Sequence, residues 1–478
     1  MSLAFLAVDN VRSDGNGGGN ALISPVERGT QGVTMATDNK PAAKADGFLD
    51  NYFGLTANGT NVRTEALAGL TTFLTMAYII FVNPSILAKA GMDQGAVFVA
   101  TCIAAAVCSI VMGLYANYPL ALAPGMGLNA FFAFTVVLTY KYTWQQALGA
   151  VFLSGILFFI LSVTGLREYI INQIPRNLKY AIGAGVGLFL GIIALENAKI
   201  IVAHPATLVT LGPLNVWGPL LCLFGFILIV ALHARRIHGA TLIGILVVGL
   251  IGLPLGLSEF RGIVSMPPSI APTFLALDFS RTFELSFLIV VFSILMIDVF
   301  DNAGTLIAVT EKAGFVDKDG NVPRMKQALI SDSFAAMFGA SIGTSTTTSY
   351  IESAAGVEAG GRTGLTAVFV GILFLFALFF SPLAGLIPAY ASAAALLFVA
   401  AVMASLMANM DWEDITESAP AVIAAITMPL TYSIATGIGL GFITYALIKL
   451  IAGRYKDVTL AVAALALIFA IKLILVPG

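Results

Sequence analysis

Apolar runs long enough to cross a bilayer follow one another along the chain from Glu65 onward, with short gaps between them. A membrane-spanning helix needs about 20 residues, within a range of about 17–25. The pattern therefore predicts fourteen membrane segments, numbered here in chain order: 66–88, 96–117, 120–138, 145–165, 179–197, 216–234, 239–257, 283–310, 325–342, 344–358, 364–386, 389–408, 419–434 and 435–452. A further apolar run at 458–476 either lies along the membrane or crosses it once more.

The positions of lysine and arginine agree with this prediction. If the N terminus is cytoplasmic, the loops after even-numbered segments should be basic. The loops after segments 4, 6, 8 and 14 contain Arg167, Arg176 and Lys179; Arg235 and Arg236; Lys312, Lys318, Arg324 and Lys326; and Lys449, Arg454 and Lys456. The turn between segments 2 and 3 carries no charge. We therefore expect a multi-pass protein of the plasma (inner) membrane with its N terminus in the cytoplasm.

Composition excludes several other classes of protein. Of the 478 residues, 58% are hydrophobic and 10% are charged, whereas soluble proteins are about 25% charged. This composition predicts a lipid bilayer as the partner, and the net charge of −2 with no long basic run argues against nucleic acid. The polar, glycine-bearing residues 1–47 predict a disordered cytoplasmic tail. No cysteine pair has the spacing of a zinc or redox motif, so we expect no metal site.

Two sets of seven segments have opposite orientations in the membrane, an arrangement typical of secondary transporters built from inverted repeats. The third segment of each set is a poor continuous helix. Pro124 and two glycines interrupt segment 3, and a run of hydroxyl residues from Thr344 to Ser349 interrupts segment 10. Interrupted segments at corresponding positions indicate a binding site near the middle of the bilayer. The expected fold is thus all-α and polytopic, with broken or extended half-membrane segments 3 and 10.

Segment 8 carries polar groups at membrane depth. Asp298, Asp301 and Thr305 are spaced i, i+3 and i+7, so they project from one face of a helix, with Asn302 beside them. A carboxylate at the centre of a membrane helix costs about 2.5–3.5 kcal/mol on insertion scales. A purely structural explanation of these carboxylates would require that one of them pairs with a buried cation or caps a broken helix. No lysine or arginine lies inside the neighbouring segments, which disfavours the cation.

Segments 10 and 3 add complementary groups. Glu352 and Ser353 follow the hydroxyl run of segment 10, and Asn129 follows the break in segment 3. Carboxylates, an amide and free backbone N–H groups together match the edge of a neutral heterocycle that has both donors and acceptors. A carboxyl group in an apolar site can also load and release a proton near neutral pH.

Five motifs, in this order along the chain, resemble one known family. They are Asn51-Tyr-Phe-Gly-Leu55, Gly69-Leu-Thr-Thr-Phe-Leu-Thr-Met-Ala-Tyr-Ile79, Pro124-Gly-Met-Gly-Leu-Asn-Ala-Phe-Phe132, Asp298-Val-Phe-Asp-Asn-Ala-Gly304 and Gly343-Thr-Ser-Thr-Thr-Thr-Ser-Tyr-Ile-Glu-Ser353. The family is that of the AzgA-like purine permeases, within the nucleobase/ascorbate transporter superfamily. The resemblance covers about residues 48–455.

This resemblance implies a domain organisation of two parts. A core domain would comprise residues 48–165 (segments 1–4) and 281–387 (segments 8–11). A gate domain would comprise residues 166–280 (segments 5–7) and 388–456 (segments 12–14). Residues 457–478 would form an extra hydrophobic segment, and two copies would form a homodimer through the gate domain.

It also implies a function and assigns roles to residues. The expected function is proton-coupled uptake of adenine, guanine or hypoxanthine by an elevator-like movement of core against gate, without enzymatic activity and with the proton as coupling ion in place of a cofactor. Alignment on the family pattern makes Asp301 the segment 8 carboxylate that binds substrate, followed by Thr305, with Asp298 as a proton-relay or structural candidate. Glu352 or Ser353 would face the substrate from segment 10, and Asn129 from segment 3. Asp301 and Glu352 are also candidates to carry the proton. Phe131 and Tyr350 are candidates to stack on the base.

Two alternatives use the same sequence features. Anion transporters and channels share the fold type, but their sites should lack acidic groups and offer cations. The Asp298-x-x-Asp301 spacing also resembles that of intramembrane prenyltransferases, which need a second aspartate-rich magnesium motif that the sequence does not contain.

Overall fold

The computed structural model describes residues 47–166, 173–315 and 322–475. The predicted tail at 1–47 therefore lies almost entirely outside the described residues, as do Arg167 and Lys318 of the basic loops. The α-helices are α1 (Phe48–Phe53), α2 (Val62–Met76), α3 (Ile79–Leu87), α4 (Gln94–Val111), α5 (Met126–Ala130), α6 (Trp144–Thr164), α7 (Arg176–Asn197), α8 (Trp217–Ala234), α9 (Ala240–Gly252), α10 (Leu285–Lys312), α11 (Met325–Ile342), α12 (Ser353–Glu358), α13 (Gly364–Ala377), α14 (Ala389–Ala404), α15 (Ile415–Leu430), α16 (Ile434–Ile451) and α17 (Leu460–Leu475).

Several helices continue in tighter or wider turns, and four short strands interrupt the helical pattern. Two π-helical stretches follow α4 and α5, at Met112–Ala116 and Phe131–Thr139. The 3-10 stretches are Ala88–Ala90, Leu378–Leu386, Ser405–Asn409 and Tyr455–Asp457. The strands are β1 (Leu122–Pro124), β2 (Ile201–His204), β3 (Leu208–Leu211) and β4 (Thr347–Ser349). Strand β2 pairs with β3, and β1 pairs with β4, both antiparallel.

Local sequence explains where many of the helices begin. The Asp93 carboxylate accepts the backbone N–H of Ala96 at 2.7 Å and so caps α4. Thr143 and Gln146 form a reciprocal capping box at the start of α6. Such caps satisfy N–H groups that have no partner within the helix.

Nine helices of the described part of the chain are long and apolar enough to cross a membrane, and they coincide with predicted segments 1, 2, 4, 5, 6, 8, 11, 12 and 14. The chain is therefore a mostly helical, polytopic membrane protein. Segments 3, 7 and 13 contain shorter apolar helices, and segment 10 contains strand β4 and the six-residue α12. The total of fourteen crossings stays a prediction.

The helices pack in two groups. In the first group α4 packs on α13, and α11 on α6. This group also includes α2, α3, α10, α12, β1 and β4. In the second group α7 packs on α14 and α15, α8 on α9 and α14, and α16 on α15 and α17. Helix α10 contacts α7 and α16, so it lies where the two groups meet.

Glu65, near the start of α2, fastens that helix to α13. Its side chain is fully buried. One carboxylate oxygen accepts the backbone N–H of Arg362 at 2.9 Å. The other accepts the N–H of Thr366 at 3.1 Å and its hydroxyl at 2.6 Å. A carboxylate is favourable at a helix N terminus because it meets both unpaired N–H groups and the positive end of the helix dipole.

We expect Glu65→Gln to destabilise the protein by about 1–3 kcal/mol, because its amide N–H₂ would face buried donors. Thermal unfolding of the detergent-solubilised protein measures this loss. Glu284→Gln is the matched control, since Glu284 is half exposed and 3.6 Å from Arg281, and exposed ion pairs contribute about 0–1 kcal/mol. Equal melting temperatures for the two variants would contradict the prediction.

Helix α17 runs antiparallel to α16. A Cβ at Gly439 would lie 2.9 Å from the Phe469 ring, and one turn away Lys472 donates to the hydroxyl of Thr436 at 3.3 Å. The Phe469 ring also stacks on Phe442 of α16, with centroids 6.4 Å apart and planes 4° apart. The run at 458–476 was expected either to lie along the membrane or to cross it. This packing favours a crossing beside α16.

We therefore expect the chain after α17 to emerge on the membrane face opposite to the loop between α16 and α17. The measurement is labelling by a membrane-impermeant thiol reagent, applied to sealed vesicles of both orientations. A cysteine at Lys456 should label from one face, and a cysteine appended after Gly478 from the other. The native Cys102, Cys108 and Cys222 are buried, so they give little background. Labelling of both new cysteines from the same face would exclude the crossing.

Candidate functional site

The interrupted segments 3 and 10 meet at the paired strands β1 and β4. Leu122 pairs with Ser349, and Pro124 with Thr347. The pairing continues beyond the strands, because Gly125 N–H donates to the Thr346 carbonyl at 2.9 Å and Tyr350 N–H donates to the Ala121 carbonyl at 3.0 Å. All of β1 and β4 is buried. Two short strands thus satisfy each other's backbone groups where neither segment is helical.

Gly125 allows a close approach between segments 3, 8 and 10. A Cβ at this position would lie 2.8 Å from the methyl group of Thr348 and 3.8 Å from an oxygen of Asp301. Asp301, predicted as the segment 8 substrate ligand, therefore points at the β1–β4 pair. The hydroxyl of Thr348 is buried and has no hydrogen-bond partner among the described residues.

Glu352 lies at the start of α12 and belongs to the same cluster. One of its oxygens, Oε1, accepts the hydroxyl hydrogen of Tyr78 at 2.6 Å. The carboxylates of Asp301 and Glu352 interact electrostatically with each other, and each also interacts with the Tyr350 hydroxyl. The structure therefore brings together Asp301, Tyr350 and Glu352, three of the predicted residues from segments 8 and 10. They lie beside Gly125 of segment 3.

Other predicted site residues fasten segments 3 and 10 to each other. Asn129 accepts a short hydrogen bond from the Ser345 hydroxyl, and its amide N–H₂ donates to the Pro124 carbonyl at 3.4 Å. The Tyr350 hydroxyl donates to the same carbonyl at 2.6 Å. Ser353 accepts the backbone N–H of Ala121 at 2.9 Å. These contacts give Asn129, Tyr350 and Ser353 a bridging role in this structure.

The remaining predicted residues, on segments 3 and 8, are buried as well. Asp298 and Asn302 are fully buried, and Thr305 is 8% exposed. Neither amide atom of Asn302 has a hydrogen-bond partner among the described residues. Phe131 is fully buried in the main hydrophobic cluster.

Reasoning from the sequence missed Tyr78 in this region and left the role of Asp332 open between two possibilities. Tyr78 lies within a family-like motif, but nothing in its local sequence marks it as a partner of Glu352. Asp332 lies inside predicted segment 9 (325–342), and the sequence alone allows either a solvated or a supporting role for it. It is in fact 1% exposed, and its Oδ1 accepts the N–H and the hydroxyl of Ser349 at 3.0 and 2.9 Å. A charged residue in an apolar segment was the available signal.

The sequence model of the permease family, Xan_ur_permease, matches residues 63–440. The chain belongs to this family. It is 48% identical to adenine permease AdeP of Escherichia coli, over 92% of this chain and 99% of that protein. It is 45% identical to guanine/hypoxanthine permease PbuG of Bacillus subtilis, over 86% of this chain and 96% of that protein. The resemblance to AzgA-like purine permeases is confirmed.

One solved structure has a fold similar to that of this chain. The transmembrane domain of the cyanobacterial bicarbonate transporter BicA matches with a TM-score of 0.62 and 16% identity, over 78% of this chain and 97% of that one. At this identity the similarity concerns the fold alone. It agrees with the helical, polytopic organisation of this permease.

We expect Gly125→Ala to lower the stability of the permease by about 1–3 kcal/mol, because the new methyl group overpacks against Thr348. The melting temperature in detergent measures this effect. Gly191→Ala is the control, since its Cβ would meet only Ala400, at an ordinary 3.5 Å, and alanine is favoured over glycine in a helix. A variant at Gly125 as stable as the one at Gly191 would show that the close approach is not required.

Proposed function

We propose that this permease transports purine nucleobases across a membrane. The observation that carries the proposal is the convergence of Asp301 and Glu352 on the paired strands of segments 3 and 10. Near-full-length similarity to proteins named as adenine and guanine/hypoxanthine permeases supports the substrate class. The residues present would bind and orient the base, and no reaction on it is needed.

The chemistry of the cluster suits a neutral heterocycle that donates hydrogen bonds. Ionised carboxylates only accept hydrogen bonds, so Asp301 and Glu352 would receive ring or amino N–H groups of the purine. The Thr348 hydroxyl, which has no hydrogen-bond partner among the described residues, both donates and accepts and would meet a ring nitrogen; the Thr348 methyl group and an Asp301 oxygen both lie near Gly125. An apolar, water-poor site strengthens each of these bonds relative to water.

The anion-transporter alternative rests on the fold similarity to the bicarbonate transporter. The charges of the cluster oppose it. Two carboxylates facing the same space repel an anion, and neither forms an ion pair with a lysine or arginine of the described residues. The relatives described above do not support the enzyme alternative, since they are named as permeases.

We further propose that the purine enters together with a proton. Two carboxylates that interact away from water resist simultaneous ionisation, so one proton shared with the pair relieves their repulsion. Asp301 and Glu352 are the candidates to hold it. Asp298, fully buried one helical turn before Asp301, is a candidate to relay it along segment 8.

The two packing groups suggest how the site would change sides. We propose that the first group is the core domain (48–165 and 281–387) and the second the gate domain (166–280 and 388–456), together containing fourteen crossings. Movement of the core against the gate, with the gate forming the contact in a homodimer, would give an elevator mechanism. Segments 1, 3, 8 and 10 all belong to the first group, so the cluster can move without being taken apart.

The direct test is uptake of radiolabelled adenine, guanine and hypoxanthine into proteoliposomes, with and without an inward proton gradient. We expect uptake of at least one purine, accelerated by the gradient. Asp301→Asn and Glu352→Gln should each lower uptake by about 10-fold or more, because hydrogen bonds to charged groups contribute roughly 1.5–3 kcal/mol.

The control is Glu358→Gln, because Glu358 lies at the exposed end of α12 and pairs with Lys312. It should retain near wild-type uptake. If the wild-type protein takes up no purine, the function is wrong. If it does so equally well without a gradient at any pH, the proton coupling is wrong.

A further inference from the structure

We propose that Tyr78 is a positioning residue for Glu352, one that fixes the carboxylate as a hydrogen-bond acceptor for a purine N–H. This inference rests on the proposed function and deepens it. It assigns to segment 1 a part in substrate selection, although segment 1 supplies none of the residues predicted to bind the base.

The geometry at Tyr78 is specific. Its hydroxyl donates to Glu352 Oε1 at 2.6 Å, and the tyrosine is only 2% exposed. Both partners are held by their own backbone. Tyr78 lies between α2 and α3, and Glu352 is the residue before α12. Charge-assisted O–H···O bonds of this length are among the stronger hydrogen bonds in proteins.

Tyr78 also occupies the point where segment 1 changes its helical winding. Helix α2 ends at Met76 and α3 begins at Ile79. Between them, Ile80 N–H donates to the Ala77 carbonyl and Phe81 N–H to the Tyr78 carbonyl, both three residues back. A tightened turn within a helix often marks a functional position. Here this turn places the Tyr78 hydroxyl within hydrogen-bonding distance of Glu352, three residues after β4.

The bond determines what Glu352 can offer. Since Tyr78 supplies a hydrogen to Oε1, it holds the plane of the carboxylate, and the remaining lone pairs of the two oxygens can accept a hydrogen from the substrate. Two other titratable side chains interact electrostatically with Glu352: Asp301 from segment 8 and Tyr350 from segment 10. The Tyr350 hydroxyl donates to the Pro124 carbonyl instead. Among the described residues, Tyr78 is therefore the side chain whose hydrogen bond orients the carboxylate.

The first experiment is a double-mutant cycle on purine binding. Dissociation constants would be measured by calorimetry on purified protein for the wild type, Tyr78→Phe, Glu352→Gln and the double variant, with the purine that the wild type transports. We expect Tyr78→Phe to weaken binding about 10-fold or more in the wild-type background. In the Glu352→Gln background the same change should have an effect of about 3-fold or less, because the charged acceptor is gone.

A second measurement does not depend on the Glu352 variant. Purines methylated at individual ring nitrogens would compete for uptake, and the analogue that loses most affinity identifies the N–H received at Glu352. In Tyr78→Phe this discrimination should shrink, while discrimination at the other nitrogens stays the same. KM should rise more than the maximal rate falls.

Tyr118→Phe is the matched control, because Tyr118 is a buried tyrosine whose hydroxyl donates to the Pro323 carbonyl, outside the cluster. It should leave binding unchanged. Equal fold-changes for Tyr78→Phe in both Glu352 backgrounds, or unchanged methyl discrimination, would overturn the proposal. Those outcomes presuppose purine binding by the wild type. Its absence would instead refute the proposed function.

Discussion

The hydrogen bonding of the backbone within the bilayer is the constraint on which the rest of this structure depends. Segments 3 and 10 leave the helical conformation where water is absent, so their N–H and carbonyl groups need partners in the protein. Pairing of β1 with β4 supplies them. Gly125 makes the approach possible, because any side chain there would overlap Thr348. The same pairing brings segment 8 and the start of α12 to one place.

Buried carboxylates are tolerated in this structure where hydrogen-bond donors surround them. Glu352 has the Tyr78 hydroxyl, Asp332 has the N–H and hydroxyl of Ser349, and Glu65 has the N terminus of α13. Two of these carboxylates support the architecture and one faces the cluster. Burial alone therefore does not identify a substrate ligand; the hydrogen bonds that surround each group do.

The bridging contacts connect the site to its proposed movement. Asn129, Ser353 and Tyr350 join segments 3 and 10 within a single packing group. Helix α10, which carries Asp301, belongs to that group and touches α7 and α16 of the other. A rigid site whose surface contacts a second group is what an elevator requires, because the substrate contacts persist while the interface changes.

The sequence by itself determined the nine long apolar helices of the described residues, the breaks at Pro124 and in the hydroxyl run, and the identity of Asp301 and Glu352 as unusual carboxylates. Hydropathy and helix-breaking chemistry are local properties, so they can be read from neighbouring residues. Only the tertiary structure decided that Tyr78 meets Glu352, that Asn129 and Ser353 bridge two segments, that Asp332 is buried, and that α17 packs against α16. Each of these depends on contacts between side chains on different segments, and local pattern carries no information about which distant groups will meet.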